Sequence, residues 1–66
     1  MANGADLTTA ERKTVAALVT LVGQRVTGGT GRVVAINESI RNMERCGAVI
    51  TPAMRNAALM QIVRAR

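Results

Sequence analysis

Aromatic residues and histidine are missing from this chain, and cysteine and proline occur once each. Each absence narrows the function. Without Phe, Tyr or Trp there are no rings to supply large buried areas, and no stacking platforms for single-stranded nucleic acid. Cys46 is the sole thiol, so no disulfide forms within one chain. With no histidine to join that thiol, a structural zinc site within one chain is excluded as well. No metal or cofactor is expected. Nucleophilic catalysis has no general base at neutral pH: Ser39 lacks a histidine partner, and the only carboxylates are Asp6, Glu11, Glu38 and Glu44. No pair of these is placed to share acid–base work on one concave site. A 66-residue chain is also too small to enclose a pocket of several hundred Å3, so no small-molecule substrate is expected. The sequence therefore reads as non-enzymatic.

Long apolar runs are absent too. Val15 to Val22 is well short of the roughly 20 residues that span a bilayer, so no membrane partner is expected. Met1 to Asp6 has no basic segment of the kind that opens a signal peptide. Together with the lone thiol, this gives an expectation of a cytoplasmic protein.

What is present is aliphatic and basic. Val, Ile, Leu, Ala and Met supply the apolar content, and the net charge is +5. A domain of this size buries only about 60% of the surface its unfolded chain exposes, which leaves it marginally stable. With disulfides and metals removed, a second subunit or a larger partner is the support that remains. The positive excess is concentrated after residue 31, where Arg32, Arg41, Arg45, Arg55, Arg64 and Arg66 face only Glu38 and Glu44. Such a half suits an anionic partner. The same bias also follows from a GC-rich coding sequence, since eight of the nine basic residues are Arg.

The pattern predicts an all-α unit of three helices, over about 9–26, 32–46 and 52–64, behind a polar, frayed segment 1–7. Thr8 and Glu11 have the spacing of a capping box. Val15, Leu18, Val19, Val22 and Val26 recur at helical spacing, and Gly28-Gly29 stops that helix. An alternative is an α+β fold, with a hairpin around 25–34 turning on Gly28-Gly29. In the second segment, Val33, Ile36, Ile40 and Met43 form an apolar stripe. Gly47 is a natural left-handed residue after it, and Cys46 is expected as a small buried residue. Thr51-Pro52 is a helix start, because proline lacks an amide that would be unpaired there anyway. Met54, Ala58, Leu59, Ile62 and Val63 then line one face.

Two function classes fit this outline. The first is a protein–protein interaction module, self-associating or a small subunit of a larger assembly, with Met43, Met54, Leu59 and Met60 as interface residues. Methionine suits such surfaces because it is flexible and polarizable. A small accessory protein of a phage or plasmid would have this size. The second is a basic DNA-binding unit, since helix, glycine-containing turn and capped helix is the outline of a helix-turn-helix. There Arg55 and Asn56 would meet base edges and Arg32, Arg41 and Arg45 would hold phosphates. The connection 47–52 is longer than that motif's usual turn. The spacing Gly23 to Gly28 resembles part of a phosphate-binding loop, but Gly29 and Thr30 follow where lysine and a hydroxyl are required.

Overall fold

The capping, stripe and glycine signals translate directly into backbone. The computed structural model describes residues 7–64; residues 1–6 and 65–66, which include most of the segment expected to fray, lie outside the described residues. Three helices follow one another: α1, Thr9–Thr27; α2, Arg32–Arg45; and α3, Pro52–Arg64. There is no strand among the described residues, so the all-α expectation holds and the hairpin around 25–34 does not form.

The capping box closes as its spacing requires. Glu11 N–H donates to Thr8 Oγ1 at 3.1 Å, and Thr8 N–H donates to Glu11 Oε1 at 2.8 Å. Leu7, just ahead of the cap, packs against the core, so the ordered chain begins before Thr8. At the far end of α1, Thr30 N–H reaches Arg25 C=O and Gly29 N–H reaches Val26 C=O, both at 3.0 Å. This pair of bonds needs a left-handed residue, which Gly29 supplies at φ 103. The turn explains why the hairpin loses: the Gly-Gly step satisfies the last carbonyls of a helix and so leaves no strand edge to pair. The end of α2 repeats the device, with Ala48 N–H on Met43 C=O, Gly47 N–H on Glu44 C=O, and Gly47 at φ 99.

The core is built around α1. Val15, Leu18 and Val22 form its buried stripe, and both α2 and α3 pack on it. The partner helices answer with small side chains. Ala35 and Ser39 lie one turn apart on the buried face of α2, and Ala57 and Ala58 do the same job on α3. Large residues against small ones let the backbones come close without rings to fill a gap. Ile36 and Met54 supply the remaining bulk. The backbones of α2 and α3 scarcely approach each other; both lean on α1.

Two expectations are corrected here. Ile36, Ile40 and Met43 of the expected stripe pack on the core, but Val33 is 66% exposed, because the fully buried face of α2 is centred on Ala35, Ile36 and Ser39. Hydrophobicity alone misplaces Val33, since a small residue that lets helices touch counts for more than a valine that would hold them apart. Cys46 is exposed, not buried, because it caps α2 where the chain turns away from the core.

Candidate interaction surfaces

Three exposed regions carry the chemistry of this molecule. The first runs along the outer flank of α2. Arg25 Nη1 on α1 donates to Glu38 Oε1 on α2 at 3.0 Å, in a solvent-exposed ion pair. Arg41 and Arg45 follow one turn apart, and among the described residues neither is engaged by a hydrogen bond or ion pair. With Asn42 these side chains border a shallow groove of about 330 Å3. Exposed ion pairs of this kind contribute little to stability, typically under about 1 kcal/mol. The two unpaired guanidinium groups beside the pair are what give this flank its positive sign.

The second region is the start of α3. Thr51 Oγ1 accepts from Met54 N–H at 3.3 Å, and Arg55 N–H returns to Thr51 C=O at 3.0 Å. Pro52 occupies the first helical position between them. The guanidinium of Arg55 reaches back to α2 and donates to Asn37 Oδ1 at 3.0 Å. Arg55 and Asn56 are both exposed, but Arg55 has a partner within the chain.

The third region is apolar. Leu59 and Ile62 are half-buried, while Met60 is 50% and Val63 56% exposed. Leu59, Ile62 and Val63 stand at i, i+3 and i+4, which places them on one flank of the helix. Leu59, Met60, Val63 and Arg64 line an open hollow of about 410 Å3. On the inner side of the same flank Ile62 faces α1 across a smaller groove of about 230 Å3. Val19, Gly23, Val26, Thr27 and Arg32 line that groove with it.

The fold separates the residues singled out in the sequence. Arg41 and Arg45 share the outer flank of α2, whereas Arg32 starts that helix, about 20 Å from Arg45 along the axis. Arg55 meets α2 at Asn37. Met54, expected at an interface, is 2% exposed and belongs to the core under α1. Met43 is half-buried and packs against the same core. Leu59 is likewise half-buried against the core, and Met60 is 50% exposed. Arg25, Gly23, Val19 and Val26 were not singled out as site residues. Their signal lies in α1: a glycine inside a strongly periodic helix departs from local preference and marks a place where a side chain is left out.

Among the described residues no three metal-binding side chains cluster, and no helix is long and apolar enough to cross a membrane. No protein-family model, curated protein or solved structure matches this chain.

Proposed function

We propose that this protein is a non-enzymatic helical interaction module, a small subunit that works by binding another polypeptide through the apolar flank of α3. The observation that carries this reading is the open hollow walled by Leu59, Met60 and Val63. A soluble surface helix normally keeps one apolar stripe and a polar opposite face. α3 spends one face on the core through Met54, Ala57 and Ala58, with Leu59 and Ile62 packed at its edge, and still exposes Met60 and Val63. Apolar surface beyond what the core uses is the mark of a second contact. The small, ring-free core is a second support, since burial against a partner would add what the chain lacks alone.

The test places a photo-crosslinking amino acid at Val63, and in a control at Thr20, which is exposed on α1. Crosslinking in the expressing cell should give a protein adduct from position 63 and none from position 20, before and after nuclease treatment. Equal adducts from both positions, or none from either, would refute the reading. Sedimentation equilibrium of the purified chain then decides whether the adduct is a second copy.

A second reading is DNA binding through the basic flank of α2, supported by the unpaired guanidinium groups of Arg41 and Arg45. Two features weigh against a helix-turn-helix geometry: α2 and α3 lean on α1 rather than on each other, and six residues, 46–51, join them. Duplex affinity across a salt series is the discriminating measurement. Phosphate contacts produce a steep loss with salt, and removing one contact lowers the slope by about 1. Duplex DNA that fails to bind at about 50 mM salt ends this reading.

A further inference from the structure

Building on the reading of α3 as a contact face, we infer that its occupant is an amphipathic helix of a different protein, with acidic residues flanking its apolar stripe, seated over Gly23. Three observations on the groove lead there.

The first is charge. Arg64 lines the hollow on α3 and Arg32 lines the groove between α1 and α3. Among the described residues no acidic side chain lines either depression. The helix ends agree in sign. α2 begins beside this groove with Gly31 as N-cap, no side-chain cap bond and no acidic residue in its first turn. Its exposed amides and dipole therefore add positive potential at Arg32. A second copy of α3 brings no complement, because its only charged residues are Arg55 and Arg64. A self-contact through this flank would bring further arginines and no carboxylate from α3 to the rim, which is unfavourable. A partner with Glu or Asp beside its apolar stripe meets the rim with the opposite sign.

The second is shape. A Cβ built at Gly23 meets no atom within 4 Å, so the space above this glycine is open. Val19 and Val26 rise beside it and Ile62 stands opposite. A side chain at position 23 would fill this depression. Its absence leaves a seat for an apolar side chain of the occupant, close to the α1 backbone.

The third is continuity. Ile62 walls the inner groove, and Leu59 and Val63 on the same flank wall the outer hollow. One helix laid along this flank reaches both depressions with residues spaced i, i+3 or i+4 and i+7, the spacing by which helices dock in apolar grooves.

The probe is a pair of synthetic 18-residue helical peptides with the same leucine stripe, one flanked by glutamate and the other by lysine. Binding is read by fluorescence anisotropy of a dye on each peptide, and the oligomeric state of the chain alone by sedimentation equilibrium. The glutamate peptide should bind roughly tenfold more tightly than the lysine peptide, and high salt should shrink the difference by screening. Arg32→Glu should reduce or invert that preference. Gly23→Leu should weaken binding of the glutamate peptide at least tenfold, with a melting temperature equal to or above that of the unsubstituted chain. Equal binding of both peptides would overturn the acidic chemistry while leaving α3 as a contact face. So would unchanged binding in Gly23→Leu overturn the seat. A concentration-dependent dimer that Val63→Lys abolishes would overturn the occupant in favour of a second copy. If neither peptide binds at about millimolar concentration and the chain stays monomeric, both the inference and the reading beneath it fail.

Discussion

Ser39 is fully buried, and its hydroxyl has no hydrogen-bond partner. The threonines of α1 show what is missing. Thr14, Thr20 and Thr27 each turn their hydroxyl back to the carbonyl four residues earlier, at 3.1, 3.0 and 2.8 Å. Ser39, wedged on the inner face of α2, makes no such bond. Removing its oxygen therefore takes away a desolvated group and breaks nothing. An unsatisfied buried polar group costs about 1–3 kcal/mol. Alanine adds a few tenths of a kcal/mol of helix propensity over serine. Against these gains stands the small void left by one oxygen, worth less than a deleted methyl group at about 1 kcal/mol. Ser39→Ala should thus stabilise the protein by roughly 1–2 kcal/mol. For a domain of this size that raises the melting temperature by about 4–8 °C per kcal/mol. Circular dichroism at 222 nm is the suitable assay, since the absence of Trp and Tyr rules out intrinsic fluorescence. A Ser39→Ala variant that melts below the unsubstituted chain would show that the hydroxyl is satisfied in solution and that the reasoning fails. Ser39→Leu should destabilise by about 1–3 kcal/mol, because the small side chain sets the spacing of α1 and α2.

Three further outcomes follow from the same structure. Leu18→Ala, at a fully buried site on the central helix, should cost about 2–5 kcal/mol in urea unfolding. Gly47→Ala forces a side chain onto φ 99 and should cost about 1 kcal/mol although nothing lies within 4 Å of the new Cβ; an unchanged urea midpoint would contradict this. Arg55→Ala removes one exposed hydrogen bond to Asn37, so stability should stay within about 0.5 kcal/mol, while duplex affinity, if DNA is a ligand, should drop measurably in a titration at low salt.

Helix positions were legible in the sequence because they are set by local chemistry. The Thr8–Glu11 box, the Gly29 and Gly47 turns and the Thr51-Pro52 start each act within a few residues, and each occurs where its spacing requires. On α2 the stripe placed Ile36, Ile40 and Met43 correctly toward the core and misplaced only Val33, because the exact centre of the face depends on what α1 presents. Against Val15, Leu18 and Val22 the good fit is Ala35 and Ser39, and a hydrophobicity stripe passes over both. Met54 illustrates the same limit for the site. A methionine on a helix face is equally suited to core and interface, and only the position of α1 assigns it to the core. The groove over Gly23 joins residues from α1, α2 and α3 that lie up to 43 positions apart, from Val19 to Ile62, so no local pattern could assemble it.

Two local departures from good helix design meet at that groove, and a third lies on the neighbouring hollow. A glycine inside a helix costs about 0.5–1 kcal/mol relative to alanine, and Gly23 has open space where an alanine would fit. Arg32 puts a cation at a helix start that favours an anion, with only Gly31 to cap it. Met60 and Val63 leave apolar surface in water at the end of α3. The helix ends follow the rules closely, with a full capping box on α1 and hydrogen-bonded glycine turns closing α1 and α2, while Ser39 and the exposed Val33 and Val49 depart from them away from the groove. In a chain of marginal stability, departures scattered at random would simply weaken it. Gly23 and Arg32 share one apolar, positively rimmed groove, which is the pattern expected when local stability is given up at a functional site. Relieving them one at a time provides the check: Gly23→Ala and Gly31→Asp should each raise the melting temperature, and each should weaken the glutamate-flanked peptide, the first by filling its seat and the second by neutralising the rim. Stabilisation without any loss of binding would mean that these features serve no partner.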